Sequence, residues 1–508
     1  MKLRLLASSD IHGMIFDESY ANREKKEHGF LKLMATMKPY EKGHYLKIDN
    51  GDILEGTPLL DRYYQYHAKE MHPMAKAVSR AGYHFVNIGN HDLNYGPQVL
   101  QNYLRDCGTT CLTGNLFYQG KCFGREYTLV KLDEHHTIAL VGVLTHYITN
   151  WEKKENMVGI EVEDAFTFTK RTVAKIHACE KVQGIVVVYH GGFERDLVTG
   201  ELHQSDTGEN QAYRMCQEIP GIDVLITGHQ HRSLHGVCGG KHITQTASQG
   251  AEFALIDWDL DKKEIAECLL PSTQMYTEKD AEAFLALEEE TQNWLDEALA
   301  QVEGIDLEVH DEFMARVKKH PIISFINTVQ REASGAQLSG NALFNGAIGF
   351  HQTITRRDVL ATYVFPNTLV TFSVNGAFLR AYLEKSAAYF ALRDGELSVS
   401  KEYGWPKPQH YNYDMVDGIE YTIDVAQARG KRIVSLCYQG KPVQADDVFT
   451  LVVSNYRASG GGDYDMFKSG KVIREDTREM ATLITEYLLR HPHLQVQHEE
   501  NIHVICSK

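Results

Sequence analysis

The first half of the chain alternates short, almost continuously apolar runs with stretches of helical periodicity. The apolar runs have the length of β-strands and read LRLLASS, HYLKIDN, HFVNIGN, TIALVGVL, GIVVVYH and VLITGH. Strands that are covered on both faces have this near-continuous apolar character, whereas half-exposed strands alternate. Between them, residues 72–82 and 165–181 carry apolar side chains at helical spacing. The pattern predicts an α/β sandwich with layered sheets.

A chain of 508 residues exceeds the size of one ordinary domain core, so we expect two large domains. Between Thr277 and Gly304, apolar residues recur every three or four positions, and Thr277 with Asp280 resembles a helix capping box. We predict one connecting helix over 277–304, between a first domain over 1–276 and a second over 305–508. The second domain mixes helical segments with apolar strand-like runs and is expected to be a smaller α+β domain.

The charge balance limits the classes of partner. Acidic residues outnumber basic ones by 68 to 52, and the formal net charge is −16. Binding of long nucleic acid requires clustered Lys and Arg to neutralise the phosphates, so this composition argues against such a partner. Small phosphate compounds remain compatible with it, because bound metal ions can supply positive charge locally.

The sequence also bears on location. The apolar stretch after Lys2 and Arg4 is too short for the core of a signal peptide, and a run of about 18 apolar residues is missing. The nine cysteines are scattered, and their odd number does not suggest a disulfide framework. We therefore expect reduced thiols in a cytoplasmic protein without membrane attachment. The sequence does not indicate an oligomeric state.

Residues with metal-ligand chemistry follow five of the apolar runs. The segments are Asp10-Ile-His12, Gly51-Asp52, Gly89-Asn90-His91-Asp92, His190-Gly-Gly and Gly228-His229-Gln-His231. In layered α/β folds, ligands gather where the carboxyl ends of strands meet. A single histidine at a strand end is more often structural, but five ordered segments of this kind together indicate a metal site. In the two pairs separated by one residue, both side chains of an extended segment point the same way and can converge.

Over roughly its first 260 residues, the sequence resembles the calcineurin-like metallophosphoesterases, whose pattern D-x-H, G-D, G-N-H-[DE], H and G-H-x-H is complete here. The resemblance implies a four-layer α/β/β/α sandwich and two divalent metal ions. Mixed nitrogen and oxygen ligands fit Mn, Zn, Fe or Co equally. One ion would be bound by Asp10, His12, Asp52 and His231, and the other by Asp52, Asn90, His190 and His229, with Asp52 bridging.

The chemistry of that arrangement is consistent with phosphate ester hydrolysis. Two divalent ions about 3.5–4 Å apart can share a hydroxide nucleophile that attacks phosphorus in line with the leaving group. His91 would protonate the leaving oxygen or stabilise charge on the phosphoryl group. Asp92 is expected to orient a ligand or His91 rather than to bind an ion itself.

The second half resembles the C-terminal domain of the 5'-nucleotidase and 2',3'-cyclic nucleotide phosphodiesterase family. The resemblance rests on residues 365–369 (FPNTL), 411–418 (YNYDMVDG) and 454–463 (SNYRASGGGD). In that family, two aromatic rings of this domain sandwich the nucleobase. By motif position these rings would be Tyr413 and Tyr456, with Tyr411 a possible substitute for Tyr413. Asn94 and Asp463 complete the residues expected to bind substrate.

Within the family, the details favour the cyclic-nucleotide branch. The sequence after Asp92 is Leu-Asn94-Tyr-Gly, whereas typical 5'-nucleotidases have Asp at the position of Asn94, where it pairs with the catalytic histidine. Asparagine cannot carry the charge that raises the pKa of a histidine. Residues 345–349 (NGAIG) stand where nucleotidases carry an arginine that clamps the terminal phosphate, and this difference favours a diester substrate.

The leading hypothesis is a dinuclear-metal phosphoesterase that hydrolyses 2',3'-cyclic, 3'- or 5'-nucleotides. A first alternative is a phosphatase of another small ester or a hydrolase of nucleotide sugars that uses the same ions. A second alternative is a nucleotide-binding or sensing protein whose metal site no longer turns over. Such a protein would be expected to lack a metal ligand or His91, whereas this sequence retains His91 and all the expected ligands.

Overall fold

The chain folds into two compact units. The computed structural model describes residues 1–507 apart from 151, 198, 203–206, 366, 405–407 and 477. The units are Met1–Gln292 and Asn293–Lys508. The division falls inside the segment for which the sequence predicted a connecting helix.

The first unit contains most of the apolar runs identified in the sequence. Its strands are β1 (Lys2–Ser8), β2 (His44–Asp49), β3 (Phe85–Val86), β4 (Thr110–Cys111), β5 (Leu116–Tyr118), β6 (Lys121–Cys122), β7 (Thr128–Lys131), β8 (Thr137–Leu144), β9 (Ile160–Val162), β10 (Gly184–His190), β11 (Val224–Thr227), β12 (Leu234–Cys238), β13 (Lys241–Gln245), β14 (Glu252–Asp259) and β15 (Glu264–Pro271). Its helices are α1 (Phe30–Met37), α2 (Pro58–Tyr66), α3 (Pro73–Ala81), α4 (Pro97–Cys107), α5 (Ala165–Cys179), α6 (Ala212–Glu218) and α7 (Glu278–Ala281). Helix α8 (Leu285–Leu295) begins in this unit and ends just beyond its last residue, Gln292. The six strands and two helices predicted from the sequence are confirmed.

Two six-stranded sheets form the centre of this unit. Their strand orders are β15-β14-β1-β2-β3-β4 and β12-β13-β11-β10-β8-β7. Strands β1 to β4 run parallel to one another, as do β8, β10, β11 and β13. The remaining strands, β14, β15, β7 and β12, are antiparallel to the strands that they pair with. Apolar side chains of both sheets, such as Leu5 and Val188, share one buried cluster, so the sheets pack face to face.

Helices cover the outer faces of the two sheets. On the second sheet, Phe168 of α5 and Met215 of α6 join a buried cluster with strand residues such as Val187. On the first sheet, the Nζ of Lys47 in β2 donates to the carbonyl oxygen of Ala81 at the end of α3, 2.6 Å away. The four-layer α/β/β/α sandwich expected from the sequence is thereby confirmed.

The second unit mixes helices and strands, as expected for an α+β domain. Its strands are β16 (Ala298–Val302), β17 (Leu307–Glu308), β18 (Leu338–Ala342), β19 (Gly349–Phe350), β20 (Thr353–Thr355), β21 (Leu369–Asn375), β22 (Phe390–Arg393), β23 (Glu396–Val399), β24 (Asp414–Asp417), β25 (Glu420–Asp424), β26 (Ile433–Tyr438), β27 (Lys441–Pro442), β28 (Val448–Ser454), β29 (Lys471–Asp476), β30 (His493–Leu494) and β31 (Ile502–Ile505). Its helices are α9 (Glu312–Val317), α10 (Pro321–Ser334), α11 (Arg356–Thr362), α12 (Gly376–Ala387), α13 (Lys401–Gly404), α14 (Asn455–Ala458) and α15 (Met480–Arg490). The largest sheet has the order β24-β18-β28-β21-β29.

The single helix predicted over 277–304 is wrong. The capping box of Thr277 and Asp280 is present, but it begins the four-residue helix α7, and α8 ends at Leu295. The apolar residues that follow belong to β16, which pairs with β20 and β30. A bulge in β16 lets both Leu299 and Val302 be buried in a strand, so their three-residue spacing imitated a helix.

Among the described residues, we find no helix with the length and apolar character needed to cross a membrane.

Candidate active site

The five ligand-bearing segments follow β1, β2, β3, β10 and β11, at the carboxyl ends of neighbouring parallel strands. Their backbones turn sharply where the strands end. Five residues there have positive φ although none is glycine: Asp10 (57°), His12 (49°), Asp52 (57°), His229 (72°) and His231 (54°). Residues other than glycine rarely adopt this backbone conformation. Backbone strain of this kind persists at functional sites because the surrounding structure enforces it.

Glycines let the segments approach one another closely. A Cβ atom at Gly89 would lie 2.1 Å from Oδ1 of Asp52, and one at Gly51 would lie 2.2 Å from the backbone nitrogen of Gly89. A Cβ atom at Gly228 would lie 2.2 Å from the hydroxyl oxygen of Ser9. These positions leave no room for a side chain, which explains the glycines that precede Asp52, Asn90 and His229.

The first group of potential metal ligands comprises Asp10, His12 and His231. The Nε2 atoms of His12 and His231 are 3.0 Å apart, and Nε2 of His231 is 3.5 Å from Oδ1 of Asp10. Two imidazole nitrogens and a carboxylate oxygen thus converge on one point. Such a set of neutral nitrogen and anionic oxygen atoms suits a divalent transition metal ion.

The second group comprises Asp52, His190 and His229. Nε2 of His190 is 3.1 Å from Oδ2 of Asp52, and Nδ1 of His229 is 2.8 Å from Oδ1 of Asn90. Oδ2 of Asp52 also lies 4.0 Å from Nε2 of His12 in the first group. The position of Asp52 beside both groups supports the bridging role that the sequence predicted for it.

The donor set fits metal ions. His190 is fully buried, and its Nδ1 pairs with the carbonyl oxygen of Asn50 at 2.6 Å. The carbonyl can only accept, so Nδ1 carries a proton, and Nε2 presents a lone pair when the ring is neutral. Among the described residues, this Nε2 has no hydrogen-bond partner. A buried lone pair of this kind is satisfied by a coordinated cation.

The electrostatics also favour cations. Burial lowers the pKa of His12 and His190, but nearby carboxylates outweigh it. Hydrogen bonding to Glu55 and the charge of Asp52 raise the pKa of His12 to about 9. The charge of Asp52, whose Oδ2 lies 3.1 Å from Nε2, raises the pKa of His190 to about 10. The carboxylates therefore attract positive charge, which protons supply in the metal-free protein and divalent ions supply when bound.

His91 lies beside the first group, with its ring centroid 5.5 Å from that of His12. Its Nδ1 is 2.8 Å from Oδ1 of Asn94. Desolvation disfavours the charged imidazole, but the negative charges of Asp52 and Glu55 raise its pKa above the ordinary value. The charge that Asn94 cannot provide thus comes from other carboxylates, one of which the sequence did not reveal.

Asp92 shapes the backbone rather than facing an ion. Its carboxylate accepts hydrogen bonds from the backbone N–H groups of Asp52, Ile53, Leu54 and Gly89, at 2.8–3.0 Å. Asp92 therefore holds the turn that carries Asp52. This geometry supports the prediction that Asp92 orients a ligand, and it identifies that ligand.

Three acidic residues near the site were missed by the sequence reasoning. Glu55 lies 3.6 Å from Nδ1 of His12 and 3.4 Å from Nδ1 of His91. Glu209 accepts from Nε2 of His229 at 2.8 Å, and Glu152 binds Asn94. Each lies in a loop of ordinary polar composition, so nothing in the sequence pattern distinguishes it from a surface glutamate.

The second unit contains a cavity of about 200 Å³ with an aromatic wall. Its lining residues are Gly340, Asn341, Ala342, Phe344, Phe365, Asn367, Tyr411, Asp414, Ser454, Tyr456 and Arg457. The rings of Tyr411 and Tyr456 have centroids 6.4 Å apart at an interplanar angle of 66°. Arg457 binds Asp414 through two hydrogen bonds of 2.6 and 2.9 Å, which fixes the polar side of the cavity.

The structure corrects one of the predicted substrate-binding residues. Tyr413 is fully buried, and its ring stacks on Tyr389 in the core at a centroid distance of 4.8 Å. It therefore cannot stack on a ligand, and Tyr411, its possible substitute, lines the cavity instead. The side chain of Asp463 is 91% exposed, lies 3.6 Å from Lys385 and is not among the residues that line the cavity. Tyr456, the other ring predicted to stack on a base, lines the cavity, and 40% of its surface is exposed.

Comparisons with known proteins agree with both halves of this description. The family model of the calcineurin-like phosphoesterases matches residues 3–233, and that of the 5'-nucleotidase C-terminal domain matches residues 286–469. A Staphylococcus aureus protein assigned to the 5'-nucleotidases, solved with alpha-ketoglutarate, is 30% identical. The match covers 99% of this chain and 100% of that one, with a TM-score of 0.81.

Named relatives are more distant in sequence. The 2',3'-cyclic-nucleotide 2'-phosphodiesterase/3'-nucleotidase of Yersinia enterocolitica is 24% identical, over 90% of this chain and 81% of its own length. The trifunctional nucleotide phosphoesterase protein YfkN of Bacillus subtilis is 23% identical over 96% of this chain, which spans 38% of the length of that relative. The chain therefore belongs to the calcineurin-like metallophosphoesterases that carry a 5'-nucleotidase C-terminal domain.

Proposed function

We propose that the protein is a dinuclear-metal phosphoesterase that hydrolyses nucleotides, with 2',3'-cyclic nucleotides as the preferred class. The observation that carries the proposal is the convergence of two ligand groups on either side of Asp52. When bound, two divalent ions would supply Lewis acidity and an activated water for attack on phosphorus. The residues that would hold them are the seven named from the sequence: Asp10, His12, Asp52, Asn90, His190, His229 and His231.

The remaining residues of the site fit supporting roles. Glu209 accepts from Nε2 of His229, which leaves Nδ1 of that ring for coordination. Asp92 holds the turn of Asp52 in place. His91, whose pKa the charges of Asp52 and Glu55 raise against the effect of burial, would deliver a proton to the leaving oxygen.

The cavity of the second unit supports a nucleoside as the leaving or retained part of the substrate. Tyr411 and Tyr456 offer two rings at its edge, and a rotation of either ring would allow both to stack on a base. Asn341 and Asn367 place amide groups in the lining, where they can pair with the polar edge of a base or with ribose hydroxyls.

The preference for a diester rests on arginines of the second unit that could otherwise bind a terminal phosphate. Arg457, which lines the cavity, is held by Asp414. Arg356 and Arg357, which are not among the lining residues, pair with Glu297 and Asp296. These guanidinium groups are thus committed to carboxylates of the protein. A terminal phosphate with two negative charges depends on a free guanidinium more than a cyclic diester with one, so the engagement of these groups disfavours the monoester.

The test is hydrolysis of 2',3'-cAMP, 3'-AMP, 5'-AMP, UDP-glucose and bis(p-nitrophenyl) phosphate, with Mn²⁺ and after chelation. We expect chelator-sensitive turnover, greatest for the cyclic nucleotide, that collapses in Asp52→Asn and persists in the matched control Asp257→Asn, an exposed carboxylate outside the site. Preference for 5'-AMP would replace the cyclic class by the monoester class. Tight nucleotide binding without metal-dependent turnover would instead indicate a sensing protein.

A further inference from the structure

The partner of His91 is itself held by a carboxylate. Oδ1 of Asn94 lies 2.8 Å from Nδ1 of His91, and on its other side Nδ2 of Asn94 donates to Oε2 of Glu152 at 2.7 Å. The three side chains thus form a linear chain from carboxylate to amide to imidazole. The carboxylate of Glu152 thus acts on His91 through the amide of Asn94 and does not contact the histidine directly.

The chemistry of the amide makes this chain directional. An ionised carboxylate only accepts hydrogen bonds, so Glu152 requires the NH2 end of the Asn94 amide. The carbonyl end then faces His91 and can only accept. Nδ1 of His91 must consequently be the donor. Without Glu152, the amide could rotate by 180° and present NH2 to an unprotonated Nδ1 instead.

Glu152 is itself fixed in place. Its Oε1 accepts from Nδ2 of Asn156 and from the backbone N–H of Lys153, each at 2.8 Å. Nδ2 of Asn156 also donates to the carbonyl oxygen of Asn94, at 2.8 Å. Both carboxylate oxygens of Glu152 therefore accept hydrogen bonds, and both ends of the Asn94 amide and its backbone carbonyl are paired. These contacts limit the motion of the three linked side chains.

We propose that Glu152 is a positioning residue that, through Asn94, fixes the proton of His91 on Nδ1 and directs Nε2 to the substrate. The proposal rests on the proposed function, in which His91 exchanges a proton with the leaving oxygen. Glu55, whose Oε2 lies 3.4 Å from the same Nδ1, adds a second acceptor and favours the same tautomer. A carboxylate in place of the Asn94 amide would do this directly, so Glu152 explains how the site operates with asparagine there.

The proposed arrangement, here called the relay, runs from Glu152 through Asn94 to His91. Exchanging the amide of Asn94 and the carboxylate of Glu152 tests it. Glu152→Gln removes the acceptor that orients the amide, and Asn94→Asp alone sets two carboxylates against each other. Each single variant is expected to lower kcat for a cyclic nucleotide about 10–100-fold, with KM unchanged. In the double variant Asn94→Asp/Glu152→Gln, the new carboxylate accepts from His91 while the new amide donates to that carboxylate. Its kcat is expected to recover to within about threefold of wild type. Glu155→Gln, at an exposed glutamate three residues away, is the matched control.

A spectroscopic readout separates this proposal from the proposed function. In Zn²⁺-loaded, [¹⁵N]histidine-labelled protein, the hydrogen-bonded Nδ1 proton of His91 should give a downfield ¹H signal that disappears in His91→Gln. The signal is expected to be lost in Glu152→Gln and retained in the double variant. That result without turnover of any nucleotide would refute the proposed function alone. Retention of both the signal and wild-type kcat in Glu152→Gln, or failure of the double variant to regain either, would overturn the relay.

Discussion

The carboxylate of Asp92 accepts a hydrogen bond from the backbone N–H of Asp52 at 3.0 Å, so one predicted site residue shapes the backbone of another. Three further N–H groups of the same region donate to Asp92. We predict that Asp92→Asn lowers Mn²⁺ affinity or kcat by about 10–100-fold, because an amide NH2 would face backbone donors. Calorimetric titration with Mn²⁺ measures this, with Asp106→Asn as the control. Unchanged metal affinity and turnover would show that the turn does not need the carboxylate.

The close approach at Gly89 gives a second prediction. Gly89→Ala would place a methyl group 2.1 Å from Oδ1 of Asp52 and 2.3 Å from the backbone nitrogen of the same residue, so movement of the side chain alone does not relieve the overlap. We expect Asp52 to be displaced and the protein to bind fewer than two ions per chain, as measured by elemental analysis after dialysis. Gly404→Ala, where the added carbon would meet no atom within 4 Å among the described residues, is the control. Full metal content in Gly89→Ala would contradict the geometry described here.

A third prediction concerns the aromatic cavity. Tyr456→Ala removes one ring from its edge, and stacking on a base contributes about 1–3 kcal/mol. KM for nucleotides should rise roughly 5- to 150-fold, while turnover of ribose 5-phosphate, which has no base, should be unaffected. Tyr66→Ala, at an exposed tyrosine of the first unit, is the control. An equal effect on the base-free ester would indicate that the cavity does not bind the base.

The buried ion pair of Lys319 and Asp417 gives a prediction for stability. Nζ of Lys319 lies 2.6 Å from Oδ1 of Asp417, and burial raises the pKa of Asp417 to about 6 although the lysine charge opposes this. Lys319→Met leaves a buried carboxylate without its cation. The free energy of unfolding should fall by about 3–5 kcal/mol at pH 8. Urea denaturation measures it, with the exposed neighbour Lys318→Met as the control.

The sign of the pH dependence follows from the folded pKa of Asp417. Because it exceeds the unfolded value of 3.8, protonation of Asp417 favours the folded state. That contribution is complete below pH 3.8 and is lost as the pH rises through about 6. Without Lys319 the folded pKa rises further, so the loss in Lys319→Met should be smaller at pH 5.5 than at pH 8. A loss that does not change with pH would show that Asp417 stays charged in the variant.

The sequence predicted the metal centre better than the nucleoside cavity, and the reason is local geometry. Three of the five ligand segments share a local signature, a strand followed by glycine and a donor residue: Gly51-Asp52, Gly89-Asn90 and Gly228-His229. The direction of the parallel strands then brings the segments together. The resemblance to a known family extended this pattern to predicted roles for individual residues.

The cavity and the helix 277–304 depended on longer-range packing. Tyr411 and Tyr413 are two residues apart and chemically identical, and only the packing of Tyr413 against Tyr389 decides which ring is buried. Likewise, the spacing of Leu299 and Val302 fits a helix, but these residues form a strand because β20 and β30 pair with β16. Glu152 could not be identified because its role arises from a contact with Asn94, 58 positions away.

The convergence of His12 and His231 also bears on how the first unit resists unfolding. These residues are 219 positions apart, and their Nε2 atoms lie 3.0 Å from each other. A cation held by both would act as a cross-link that closes a loop over most of this unit, in a chain whose cysteines are all free. Chelation should then convert a kinetically locked unit into one that opens and is cleaved by proteases, even before its catalytic consequences are considered.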